Sequence, residues 1–288
     1  MQSMDCNPRP TLDGAMIRPR RGTATGRPEW GLGVEGQLGA DAVSGLAEHC
    51  EALGYQSFWF NMIGNSQDPI EILAACSERT HSILIGVGVI PLGYFPAGRI
   101  ISGLANMELD SRRFVLGVGA HGLSDKPLVA VRAALRSIRE VAPLTRTAVG
   151  GIGPRMLTIA AHEADAVVLS MVSPAKADWV VRHLSENAAG RALPDPYLYH
   201  RVAVGPNAVA QLTATMAAHG AWDSATRAPD SEELLGTPAE SDNGAIRADL
   251  AKYPGQIHSV LRPVPQNPAD VTEWHALALR FAPEEGCP

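Results

Sequence analysis

Apolar and polar positions change rhythm in blocks along this chain. Short apolar runs rich in β-branched and aromatic residues alternate with longer stretches in which apolar residues recur every three or four positions. This is the pattern of buried strands alternating with amphipathic helices. It is most complete in residues 146–171, RTAVGGIGPRMLTIAAHEADAVVLSM. Thr147, Ala148 and Val149 form a strand ended by Gly150-Gly151, and Gly153-Pro154 opens a helix with proline at its first position, where no N–H is needed. Met156, Leu157, Ile159 and Ala160 supply the apolar face, and residues 166–169 return as a buried strand.

The same reading elsewhere predicts strands at 30–34, 56–60, 82–90, 113–119, 198–204 and 256–261. Between them it predicts helices at 40–53, 70–79, 97–109, 126–141, 174–189 and 207–219. Gly54 stops the first helix and Asp68-Pro69 caps the second. Thr237-Pro238-Ala239-Glu240 reads as a capping box opening an extra helix to about Tyr253, and Asn267-Pro268 as the cap of a last helix ending near Phe281.

Eight strands alternating with helices predict a parallel sheet with right-handed crossovers, and the count and length suit a (β/α)8 TIM barrel. A doubly wound sheet would want a GxGxxG fingerprint after the first strand, and residues 33–39 carry none. The barrel is expected over 29–283 as one domain, preceded by a disordered Pro/Gly/Thr-rich leader (1–28) and followed by a tail (284–288).

Composition narrows the partners. A net charge of −6 argues against nucleic acid, although Arg18, Arg20, Arg21 and Arg27 cluster in the leader. No apolar run approaches the roughly 18 residues of a membrane span and no signal-peptide core follows the start, so a cytoplasmic protein acting on a small molecule is expected. Cys6, Cys50, Cys76 and Cys287 show neither CxxC pairing nor histidines at ligand spacing, so reduced thiols and no metal are expected.

In a TIM barrel, chemistry sits where the strands end. These positions are Glu35, Asn61 and Met62, Val89 and Ile90, Ala120 and His121, residues 151–155, and Ser170 and Met171. The glycine turn before the helix at Pro154 can aim backbone N–H groups at an anion, with the helix dipole adding to their pull. The same glycines would also serve simply to close a tight βα turn.

Several blocks, in this order, resemble the luciferase-like monooxygenase superfamily: LGYQSFWF with Asp68-Pro69 and SERT, then ILIGVGVIPLGYFP, ANMELDSRRFVLGVGAHG, GGIGPRMLTIAAHEADAVVL and LRPVP. The resemblance spans about residues 30–282. It implies a TIM barrel that uses either reduced flavin mononucleotide (FMN) with oxygen, or the deazaflavin coenzyme F-420 for hydride transfer, on a small organic substrate. By position it implies a non-prolyl cis peptide at Gly88-Val89 whose bulge backs the ring. It places the phosphate on Gly151, Ile152, Gly153, Pro154 and Arg155, with Ser170 nearby. It also puts Gly119 and Ala120 along the ring edge, and an apolar mouth at Phe60, Met62, Ile90, Tyr94, Phe95 and Met171.

Two departures stand out. Asn61 replaces the histidine or acid that relatives often carry after the second strand, which leaves His121 as the titratable catalytic candidate beside it. The long segment between strands four and five is reduced to one helix. Relatives are often homodimers, and a non-catalytic flavin-binding or partner-subunit relative is the alternative. A Schiff-base aldolase is disfavoured because Lys126, Lys176 and Lys252 lie in or beside helices, and a metal hydrolase because no His-x-His marks the rim.

Overall fold

Strand and helix alternate as the hydrophobic pattern requires. The computed structural model describes residues 30–35, 38–62, 67–107, 113–218, 234–239 and 243–283. The leader with its arginines and Cys6, the tail with Cys287, and His219 and Glu240 lie outside these. The elements are β1 (Trp30–Glu35), α1 (Ala40–Ala52), β2 (Ser57–Asn61), α2 (Pro69–Arg79), β3 (Leu84–Pro91), α3 (Ala97–Ala105), β4 (Phe114–Gly119), α4 (Pro127–Val141) and β5 (Arg146–Gly150). They continue as α5 (Pro154–Glu163), β6 (Ala166–Ser170), α6 (Pro174–Asn187), β7 (Asp195–Val204), α7 (Ala208–Ala218), β8 (Thr237–Ala239), α8 (Gly244–Leu250), β9 (His258–Pro263) and α9 (Val271–Arg280).

All pairings are parallel. Strands β1 to β6 neighbour one another in sequence order, β6 pairs with β7, β7 with β9, and β9 with β1, so the ring closes with eight strands. The extra strand β8 pairs only with the upper part of β7, Val202 to Val204. No helix among the described residues is long and apolar enough to cross a membrane.

Successive side chains of a strand point to opposite faces, which splits the apolar residues into two layers. Trp59, Leu84, Val115, Ala148, Ala166, Val168, Tyr197, Tyr199 and Val260 pack inside the barrel. Their sequence neighbours, among them Leu32, Phe58, Phe60, Ile85, Val87, Leu116, Val149 and Leu261, join the helices in the outer core. The barrel interior depends on pairing large with absent side chains. The Trp59 ring lies so close to Gly86 that a Cβ there would fall 2.1 Å from it. Tyr197 and Tyr199 hold the ring from the other side, at centroid distances of 4.5 and 5.9 Å. Below this layer Arg146 closes the amino end through Asp195 (2.5 Å) and the Tyr197 hydroxyl (3.1 Å). Cys50 and Cys76 are buried in the outer core. Burial pushes both thiols up, Cys76 to about 12, so neither is a nucleophile at neutral pH.

Two expectations are corrected. Thr237 is no helix cap; it starts β8. Its hydroxyl donates to Asp249 of α8 (2.6 Å), and so receives the Nε2–H of His200 (2.7 Å) instead of capping an amide. The last helix is capped by Asp270, which accepts from Thr272 and Glu273, while Asn267 only turns the chain toward Ala269.

The His200–Thr237–Asp249 chain has a consequence for acid stability. Burial outweighs the pull of Asp249 and, with a smaller push from Lys252, lowers His200 from 6.5 to about 4. The unfolded chain therefore binds a proton between these values that the folded chain refuses. Stability is complete above pH 6.5 and is lost as the pH falls toward 4, by on the order of 3 kcal/mol. Urea titrations from pH 7 to 4 are expected to show this slope in the wild type. His200→Gln is expected to remove this residue's share of it; an unchanged slope would place the acid sensitivity elsewhere.

Candidate active site

At the carboxyl rim, β3 bulges. Its register against β4 shifts between Val87 and Ile90, so that Gly88 and Val89 occupy the extra position. The peptide there is trans, as is every peptide bond among the described residues, and the expected cis bond at Gly88-Val89 is not found. The inserted residue itself provides the kink and turns Val89 into the mouth. Val89 is half-buried and stands among glycines. A Cβ at Gly150 would lie 2.3 Å from the Val89 side chain, and those at Gly117 and Gly119 would lie 3.4 and 3.6 Å from it. The strands beside Val89 thus present bare backbone, leaving a shallow shelf on one side of the mouth.

Next to the shelf comes the turn from Gly151 to Arg155. Gly151 takes φ +150°, a conformation open to glycine alone. Gly153 is the N-cap of α5 and no side chain caps that helix. The Gly153 carbonyl receives the Met156 and Leu157 amides, and Pro154 has none to offer. Nothing lies within 4 Å of a Cβ built at Gly153, so the helix terminus faces open space. Arg155 and Lys126 line a cleft of about 640 Å3 between the starts of α4 and α5. A positive helix end, two cations and a glycine approach suit an anionic group.

Of the other expected residues, Asn61 and Ser170 are half-buried at the ends of β2 and β6. Strand parity turns both inward, Asn61 with Trp59 and Ser170 with Val168. Ala120 is half-buried and His121 exposed on the loop after β4. The His121 ring lies 5.7 Å from that of the half-exposed Tyr94, and its carbonyl receives the Gly93 amide. The apolar mouth assignment is corrected. Phe60, Met62, Ile90 and Phe95 are buried in the outer core, because strand parity turns Phe60 and Ile90 toward the helices. Met171 packs with Met216 and Leu235 instead.

A cluster not singled out from sequence lies inside the same rim. Glu35, Arg201 and Arg262 are 9%, 8% and 1% exposed, on adjoining strands β1, β7 and β9. Arg262 and Arg201 are register partners. Arg262 pairs with Glu35 Oε1, whereas the Arg201 Nη1 stands 3.8 Å from that oxygen, beyond hydrogen-bond reach. The Arg262 guanidinium lies 5.1 Å over the Tyr199 ring. The Tyr199 hydroxyl, buried and without a partner, fills the space beside Gly88, where a Cβ would fall 1.5 Å from it. Burial pushes the Tyr199 hydroxyl upward, so it stays protonated as a potential donor at the mouth. An arginine set into an apolar strand, as in HRVAV and LRPVP, is the signal that marks such a cluster.

No family model and no curated protein sequence matches the chain. Solved structures do match in fold. One is an F420-dependent secondary alcohol dehydrogenase in complex with an F420–acetone adduct (TM-score 0.64, 13% identity, covering 87% of this chain and 99% of that one). Another is the coenzyme F420-dependent tetrahydromethanopterin reductase from Methanopyrus kandleri (TM-score 0.64, 15% identity, 88% and 98%). A third is a type II Baeyer–Villiger monooxygenase, the oxygenating constituent of 3,6-diketocamphane monooxygenase from the CAM plasmid of Pseudomonas putida, in complex with FMN (TM-score 0.67, 13% identity, 88% and 97%). At such identities the likeness is one of fold, and the (β/α)8 barrel inferred from the sequence is the fold they share.

Proposed function

We propose that this chain is an oxidoreductase that holds a flavin-type cofactor, FMN or a deazaflavin, at the carboxyl rim of its barrel. The observation that carries the reading is the shelf at Val89. A half-buried apolar side chain flanked by glycines is matched, at the β5–α5 turn, by an uncapped helix start facing open space. The shelf fits one face of a planar ring and the turn fits its phosphate. The solved structures of this fold that contain F420 or FMN support the same reading.

When bound, such a ring supplies hydride transfer or, with FMN, oxygen activation. The chain supplies the rest. Val89 would back the ring, and the free backbone N–H and the side chain of Arg155, with the positive end of α5, would neutralise the phosphate. Asn61 and Ser170 would offer hydrogen bonds from the ends of β2 and β6. Asn61 cannot take up a proton, so proton exchange falls to His121 at the rim, while the Tyr199 hydroxyl, held protonated by burial, can only donate a hydrogen bond.

Titration with reduced FMN and with deazaflavin, followed by absorbance, tests the reading, and binding of one at micromolar concentration is expected. Gly153→Asp is the informative variant. A carboxylate at an N-cap favours the helix by about 0.5–1 kcal/mol yet repels a phosphate at the same spot. The expected result is an unchanged or raised melting temperature with cofactor binding weakened at least tenfold. Equal affinity would remove the phosphate from this turn. Failure of the wild type to bind either cofactor would leave the non-catalytic partner-subunit alternative.

A further inference from the structure

Among the described residues, the charge count inside the rim does not balance. Glu35 is the only carboxylate within ion-pair distance of Arg201 or Arg262 among the described residues, and Arg262 takes it. The Arg201 side chain makes no hydrogen bond to any described residue, and its Nε, like the Arg262 Nε and the Glu35 Oε2, is fully buried without a partner. A guanidinium carries five N–H donors in a fixed planar fork, and one removed from water with that fork unfilled is costly to keep. Burial and the neighbouring Arg262 charge hold Arg201 down to about 9, against the pull of Glu35 and Tyr199, so it remains a cation at neutral pH.

We propose that Arg201 is the binding residue for the carboxylate of an organic substrate, with Glu35, held by Arg262, beside it as the chain's own competing carboxylate. A carboxylate matches the guanidinium fork with two parallel hydrogen bonds and restores charge balance. Arg201 and Glu35 form the less buried edge of the cluster and Arg262 lies deeper, so a ligand from the rim meets Arg201 before Arg262. The site adjoins the proposed ring shelf through Tyr199, whose ring lies under Arg262 and whose hydroxyl abuts Gly88. A substrate anchored at Arg201 would present its remaining carbons toward Val89. This orientation rests on the cofactor reading given above; the anion site itself does not.

The test uses the full chain without any cofactor, by calorimetry at fixed ionic strength, with sodium hexanoate, hexanamide and sodium hexanesulfonate as probes. Saturable hexanoate binding is expected, with hexanamide and hexanesulfonate at least tenfold weaker. Arg201→Met should abolish it, and Arg201→Lys, which keeps the charge and loses the fork, should weaken it about tenfold. Glu35→Gln, which removes the competing carboxylate, should tighten it several-fold while lowering the melting temperature, because both guanidiniums lose their counter-charge. Because Arg201→Met deletes an unbalanced buried charge, its melting temperature should equal or exceed that of the wild type. Hexanoate binding that survives Arg201→Met, equal binding of the amide, equal or tighter binding of the sulfonate, or no hexanoate binding at all would each overturn the assignment. So would a melting temperature several degrees lower in Arg201→Met, which would make Arg201 a structural counter-ion. Since no cofactor is present, these outcomes are independent of the Gly153→Asp titration.

Discussion

Glu35→Ala is expected to cost about 3–5 kcal/mol in unfolding free energy, measured by urea denaturation at pH 7. Removing one member of a buried ion pair leaves its partner charged and uncompensated, and that penalty exceeds the worth of the pair itself. Arg262 is 1% exposed and has Glu35 as its ion partner. The loss would leave two neighbouring guanidiniums, Arg201 and Arg262, without a counter-charge in the barrel interior. The contrasting control is the surface pair Arg79–Asp41, whose side chains are 42% and 89% exposed. Asp41→Ala should stay within about 0.5 kcal/mol of wild type, because water already screens that pair. A Glu35→Ala cost below about 1 kcal/mol would mean that the rim is wet enough to solvate both arginines.

Gly86→Ala is expected to be nearly as damaging, at about 3 kcal/mol. The added methyl would fall 2.1, 2.2 and 2.4 Å from three carbons of the Trp59 ring, so that ring must move. It is fully buried and packed against Tyr197 and Tyr199 on the side away from Gly86, which places the change at the upper end of overpacking costs. Trp59→Ala should cost a similar 3–5 kcal/mol through the cavity it opens. Combining Gly86→Ala with Trp59→Leu should cost clearly less than the sum, since each change relieves the other. Additive losses in the double variant would show that the two positions do not share space, contrary to the packing.

Much of the scaffold is legible in the order of residues. The alternation of apolar runs with helical periods places every ring strand within a few residues, because each βα unit is built from local preferences. Gly150 to Pro154 announces a turn and a helix start through backbone chemistry alone, and the structure puts an uncapped helix end there. The bulge at Gly88-Val89 is likewise where the resemblance places it, although its peptide is trans.

Phe60 and Ile90 fail for a different reason. A strand buried on both faces is apolar throughout, so its sequence does not say which residues point inward. One residue of register separates Trp59, inside the barrel, from Phe60, outside it. Thr237 fails because Thr-Pro-Ala-Glu suits a helix cap and an edge strand equally. The choice is made by β7 beside it and by His200 and Asp249, which take its hydroxyl.

The sequence by itself determined the class of fold, the succession of its units and the glycine turn that opens α5, since these follow from periodicity and from the conformations open to glycine and proline. Only the tertiary structure decided which side chains face the mouth and which charges meet there. Glu35 and Arg262 stand 227 positions apart in the chain. They become neighbours only when β9 pairs with β1 to close the ring. That closure also brings in Arg201 from β7 with an unfilled fork of donors, because charge balance in a buried space depends on every strand that lines it.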